Sequence, residues 1–402
     1  MPTIRLTIMP KPRSKAWMVP VLVAAGWVSA CGGTAPEPEN AHSADGAKRG
    51  DPATQLLDQM VVAGYSTSEL LTDLERARSL LLADQFDEAA QAFDRLAKLA
   101  GDPELIALAT YDSGLAREGL GQREAAIERF ETLAQKYPKQ GVTKNALVRL
   151  TRLYGYLERW ADLARAADQL LSRGTDLPVM NLIEGHGAKA LALVEQGQVD
   201  AARVALSKAQ ALIDQHGFGR AGAPPVQLAQ VAFADGEIRR IDSEGIKLTP
   251  VPPNFIEVLE ARCQGLLDAQ RAYTEAMRSR DAHWSAMSGY RVGQLYQQLH
   301  REAMQIPPPK GASLEQHQLF EAAMRLRYRI LLAKGLKMMA GTVRIGKRTG
   351  EDSFWVTRAR EAKRVLEQAL ADEKAALERT PYTEEEIRAA LEKLKGQKSP
   401  KP

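Results

Sequence analysis

The sequence predicts an all-α chain, a solenoid of antiparallel helix pairs followed by a subdomain of longer helices. Beyond residue 54 it is rich in Ala, Leu, Gln, Glu and Arg, poor in β-branched residues, and without the alternation of a half-buried strand. Related segments recur every 37 to 39 residues. Two proline-rich breaks, LTPVPPNF (248–255) and IPPPKGAS (306–313), separate long helical stretches in the second half, because adjacent prolines remove backbone donors. The 402 residues are 45% hydrophobic and 26% charged, enough to bury a core. Two cysteines exclude a disulfide-rich scaffold and a four-cysteine zinc site.

Residues 1–30 have the layout of an export signal. Arg5, Lys11, Arg13 and Lys15 precede a charge-free apolar run from Ala16 to Ala30. Fifteen residues span roughly 22 Å of helix, short of the ~30 Å hydrocarbon core, and Pro20 and Gly26 weaken a permanent span. The run ends Val28-Ser29-Ala30-Cys31-Gly32, which resembles the bacterial lipobox, an aliphatic residue and two small residues before an acylated cysteine. The resemblance implies lipidation at Cys31, with palmitate among the acyl chains; ordinary cleavage or an uncleaved anchor is the alternative. Each buried methylene contributes about 0.8 kcal/mol, so several chains hold stably. Residues 31–53, rich in Gly, Pro and Ala and without periodicity, read as a flexible tether reaching roughly 25 Å.

Residues 54–247 carry the repeats. ADQFDEAAQAF (83–93), GLGQREAAIERF (119–130), YLERWADLARAA (156–167) and EQGQVDAARVAL (195–206) align so that Ala89, Ala126, Leu163 and Ala202 share one position. Phe93, Phe130, Ala167 and Leu206 follow one helical turn later on the same face. Ala77, Gly114, Thr151 and Ala190 lie twelve residues upstream, on the preceding helix. This pattern resembles the tetratricopeptide repeat (TPR), in which small residues permit close helix crossing and a bulky one fills the gap. The second copy matches best, with Gly114, Gly121, Ala126, Phe130 and Pro138; the third departs at Leu163 and Ala167. The intervals exceed the family's 34, which places extra residues in the inter-repeat loops, as at 139–145.

Beyond 216–225 a helix is expected over 226–245, and the prolines at 248–255 mark a subdomain boundary. The C-terminal long-helix subdomain, 255–380, holds a helix from Phe255 to about Arg280, a second over 283–304, and long helices at about 314–344 and 352–380. Residues 381–402 form a short helix and tail, capped by Thr383 and Glu386. The run DAHWSAMSGYRVGQLY, the proline loop and the long helices resemble the C-terminal region of repeat proteins in gliding bacteria of the myxobacterial type, some of which belong to the motility machinery.

Catalytic motifs are weak. Gly217-Phe218-Gly219-Arg220-Ala221-Gly222 fits G-x-G-x-x-G but follows a helix rather than a strand, so the glycines are expected to end that helix. Gly341 to Arg348 approaches a P-loop, but Arg348 stands where a hydroxyl should meet magnesium; a helix-ending loop is expected. Cys263 lies on an apolar stripe with Leu259, Leu266, Leu267 and Tyr273 and reads as structural. The six histidines show no metal-ligand spacing. No cofactor, no metal and no enzymatic role are expected.

The net charge of +4 resides in the four cations of the export signal, leaving 50 bases and 50 acids from residue 31 onward. Residues 51–200 hold 23 acids and 16 bases, while 301–350 hold 3 acids and 10 bases. Arg325, Arg327, Arg329, Lys334, Lys337, Arg344, Lys347 and Arg348 form a basic patch whose readings are a solvated surface, contact with anionic lipid or glycan, or docking of an acidic protein segment. The repeat frame places Tyr111, Leu115, Arg152 and Tyr156 on the inner face of a partner-binding groove. The expectation is a lipid-anchored scaffold or assembly factor of a bacterial envelope complex, with motility or pilus assembly as candidate processes and other envelope proteins as partners. Gly32 and Gly33 after the cysteine resemble the signal for outer-membrane sorting, facing the periplasm. Export disfavours nucleic acid. The alternatives are an envelope enzyme acting on peptidoglycan or peptides, and a solute-binding lipoprotein.

Overall fold

Some helices begin at side-chain caps, and some end at a residue in the left-handed conformation. The computed structural model describes residues 65–219 and 222–396, apart from the side chains of Thr175 and residues 392–396. The export signal, Cys31 and the tether lie outside the described residues. The described chain is all-α: no strand occurs in it, and it falls within one compact unit.

Four helix pairs come first: α1 (Thr67–Leu82) with α2 (Phe86–Leu99), α3 (Pro103–Gly119) with α4 (Arg123–Lys136), α5 (Thr143–Tyr156) with α6 (Trp160–Leu171), and α7 (Val179–Glu195) with α8 (Val199–His216). α1 starts at a capping box of Ser66 and Glu69, and Asp102 caps α3 through the Leu105 amide at 2.9 Å.

Within every pair the reversal is the same. Asp84, Gly121, Glu158 and Gly197 have φ of 60°, 73°, 56° and 77°, and the next residues, Gln85, Gln122, Arg159 and Gln198, begin the second helix. The amides of these four donate to carbonyls five residues back, those of Leu80, Arg117, Tyr154 and Leu193, at 2.9–3.0 Å. That bond closes the last turn of the first helix and satisfies a carbonyl the helix would leave unpaired.

The aligned positions form the contact between paired helices. Ala89, Ala126, Leu163, Ala202, Phe93, Phe130 and Ala167 are all fully buried. Gly114 shows why the first helix needs a small residue: a Cβ there would stand 2.7 Å from Cζ of Phe130. The extra residues fall largely between pairs, in the 137–142 loop and in a segment with a 3-10 turn at Gly174–Asp176.

Six helices follow: α9 (Gln227–Gly245), α10 (Phe255–Arg278), α11 (Ala282–Met304), α12 (Leu314–Thr349), α13 (Phe354–Glu378) and α14 (Glu384–Gly396). The 248–255 break joins α9 to α10, which pack on one another, and one core runs from Ala107 to Val356. The proline segment is an exposed turn between two helices that share this core. α11 and α12 cross closely at Gly293 and Gly335, where a Cβ on Gly335 would lie 3.2 Å from the Gly293 carbonyl oxygen. α12 begins at a capping box of Ser313 and Gln316 and ends at Gly350 with φ 76°. It therefore includes Gly341 to Arg348, the segment expected to be a loop, which is helical throughout. Gly346 is accommodated because Val356 of α13 packs on it. Leu267, expected on the buried stripe of α10, is 46% exposed, whereas Leu266 and Tyr273 are buried.

Candidate functional site

The four residues expected to line an open groove are engaged within the fold. Tyr111 packs on Phe130 with ring centroids 5.6 Å apart, and Leu115 packs against the core. Arg152 on α5 makes a bidentate pair with the buried Glu184 of α7, Nη2 to Oε2 at 2.9 Å. Burial opposes its charge, but the carboxylate outweighs burial and raises its pKa. Tyr156, at the end of α5, lies against His283 (4.1 Å between centroids) and Trp284 (5.4 Å) of α11, and its hydroxyl donates to Asp281 at 3.2 Å. Burial, then Asp281, pushes its pKa well up. Arg152 and Tyr156 are thus occupied by the chain's own α7 and α11.

Around Tyr156 the repeat half is tied to the second half. His283 sets Nδ1 2.8 Å from Glu351 Oε1 and Nε2 3.2 Å from the Tyr156 carbonyl oxygen. Arg123 reaches Glu351 Oε2 at 3.2 Å, and Arg358 reaches Glu158 at 3.1 Å.

A second buried cluster joins α7, α9, α10 and α11. Glu237 is fully buried and accepts from Arg291 Nε at 2.7 Å, from Arg240 Nη2 at 2.7 Å and from the Tyr273 hydroxyl at 2.9 Å. Burial alone would raise its pKa; Arg291 and Arg240 outweigh it, and the net shift is downward. Glu195, 3.3 Å from Arg291, is pushed up to about 7 by burial and then by Glu237. The sequence pattern carries no signal for this pair, because its members sit 42 positions apart, on α7 and α9.

An apolar groove lies farther along. A groove of about 910 Å³ opens between Pro250–Leu259, the loop Ile306–Lys310 and the first half of α12. Phe255, Leu259, Phe320, Met324 and Tyr328 line it, and Val251 and Ile256 on its edge are 45% and 46% exposed. Its ionic groups are Glu260 on α10, Lys310 on the loop and Arg327 on α12. The prolines at 250 and 307–309 hold two of its walls away from helical geometry. In the sequence these prolines read only as breaks; the groove needs three segments brought together.

The basic patch lies entirely on α12. Arg325 pairs with Glu373 of α13 at 2.9 Å. Arg327, Arg329, Lys334, Lys337, Arg344, Lys347 and Arg348 are exposed, and none has a carboxylate within ion-pair distance among the described residues. Arg327 lies over the Tyr328 ring at 5.4 Å, and Lys334 over Tyr296 at 5.4 Å.

Cys263 is half-buried, and burial raises its thiol pKa away from the reactive range. Gly217 caps α8 in a left-handed conformation, as expected for a helix stop. Among the described residues no group of His, Cys, Asp and Glu is placed to hold a metal, and no helix is long and apolar enough to cross a membrane. No family model matches the chain, and no curated protein matches it.

Proposed function

We propose that the chain is a lipid-anchored helical-repeat scaffold or assembly factor of a bacterial envelope complex, tethered through Cys31. The observation that carries this reading is the apolar groove beside α12, continuous with a helix face whose cations find no carboxylate within the described chain. Stacked helix pairs give a long, rigid surface suited to holding partner proteins. The lipobox resemblance at Cys31 supports the anchor, and the repeat frame supports kinship with tetratricopeptide-repeat proteins.

An envelope enzyme acting on peptidoglycan or peptides is the second reading, favoured by the raised pKa of Glu195 beside Glu237. The oxygens of that pair already receive Arg291, Arg240 and Tyr273, which leaves them poorly placed to receive a substrate. Crosslinking the membrane-bound protein in cells distinguishes the two. A defined envelope protein recovered in high yield is expected; recovery of none, with turnover of a glycan or peptide substrate by the purified chain, overturns the scaffold reading.

A further inference from the structure

The groove and the basic face of α12 are one surface, and Arg327 is where they meet. It lines the groove and also opens the row Arg327, Lys334, Lys337, Arg344, Arg348. At 100° and 1.5 Å per residue these five fall within an arc of roughly 100° along roughly 30 Å of helix. Like charges three and four residues apart, as at Lys334/Lys337 and Arg344/Arg348, each destabilise a helix by a few tenths of a kcal/mol. Arg325, on a different face, does have its carboxylate in Glu373. The row is thus a set of cations complementary to something outside the described chain.

Shape decides between candidate ligands. A flat anionic bilayer would satisfy the cations but could not enter a concavity of about 910 Å³ walled by Phe255, Leu259 and Phe320. Glu260 on the opposite wall would repel a lipid phosphate there. A single helix can do both, setting apolar side chains of one or two turns into the groove and running acids along α12.

We propose that this continuous surface binds an amphipathic, acidic α-helix of a partner protein, apolar at the end that enters the groove and acidic where it follows α12. The proposal rests on the scaffold reading and names the partner's chemistry. Arg327, at the junction, pairs with the first acid beyond the apolar turns. Ile256 and Val251 close over the apolar end, and Lys337 and Arg344 meet the acids farther along.

The test uses the full-length lipidated chain in detergent micelles and a fluorescent synthetic helix of about 20 residues, with Leu and Phe on one face of its first two turns and Glu thereafter. Saturable binding is expected, weakened at least tenfold by Ile256→Glu and by raising salt. The triple reversal Arg327→Glu, Lys337→Glu, Arg344→Glu is expected to lose the Glu peptide at least tenfold and gain the same peptide built with Lys. All three sites are exposed, and an unchanged melting curve verifies that the variant folds. The proposal is overturned if the Lys and Glu peptides bind the wild type equally, or if reversal fails to exchange them. It is also overturned if phosphatidylglycerol vesicles bind with the same dependence on Ile256 and the three cations while the peptide does not. An in-cell partner that crosslinks only to residues 65–216 overturns this assignment but leaves the scaffold reading standing.

Discussion

His283 and Glu351, 68 positions apart in the chain, meet with Nδ1 2.8 Å from Oε1, and the same imidazole reaches the carbonyl oxygen of Tyr156 at 3.2 Å. One buried ring thereby fixes the end of α5 against α11 and the loop before α13.

Glu351 gives this junction a pH signature. Burial, the largest single influence, would raise its pKa, but His283, Ser353 and Arg123 together outweigh it and the carboxyl is lowered from 4.5 to about 2. A depressed carboxylate contributes stability above its unfolded value and loses it as pH falls through its folded value. Glu351→Gln is expected to cost about 2 kcal/mol at neutral pH. The gap between wild type and variant, measured by denaturant melts, should shrink from pH 4.5 to about 2.

Glu195 predicts the opposite slope. Its pKa is raised to about 7 by burial and then by Glu237, so its stabilising contribution is complete below 4.5 and is lost as pH rises through 7. Glu195→Gln keeps a neutral group in place and removes that loss. The variant should match wild type at pH 4 and exceed it at pH 8, by on the order of 1–3 kcal/mol. A variant less stable than wild type at pH 8 would contradict this account.

Gly114 and Phe130 form a testable steric pair. Gly114→Ala places a methyl against the Phe130 ring and is expected to cost about 1–3 kcal/mol. Phe130→Leu, itself destabilising, should reduce the cost of Gly114→Ala. Strict additivity of the two in a double-mutant cycle would show that the contact is not what demands glycine.

The four equivalent turns differ in strain. Asp84 adopts φ 60° without glycine's freedom, while Gly121 occupies the same position at 73°. Asp84→Gly is expected to be neutral or stabilising by up to about 1 kcal/mol, whereas Gly121→Ala should destabilise by about 1 kcal/mol. Thermal melts of the two variants check the pair of signs.

The repeat half was largely legible because its signal is local. Small and bulky residues one turn apart, recurring with the pair length, mark Ala89, Phe93, Ala126 and Phe130 before any fold is known, and all four are buried. The shared turn was half visible, at Gly121 and Gly197; Asp84 and Glu158 adopt the same conformation with nothing in their residue type to announce it. The partners of Arg152 and Tyr156 within the fold, Glu184, Asp281 and His283, lie 32 to 127 positions away and follow no period, so the sequence does not reveal them. Gly341 and Gly346 read as helix breakers in the sequence, yet both are helical, and Gly346 packs on Val356 of α13. The basic run of α12 was plain as composition. That it forms a face, and that the face begins in a groove walled by two proline segments, depends on tertiary approach alone.

If the chain holds partner proteins at a membrane, the composition of the native particle reveals it, with the lipidated protein extracted from membranes in mild detergent, sized by light scattering and its components identified. A stoichiometric particle is expected that contains at least one other envelope protein, that dissociates in high salt, and whose partner loses membrane association when Cys31→Ala replaces the anchor. A particle containing only this chain, unchanged by salt and by Cys31→Ala, would overturn that reading.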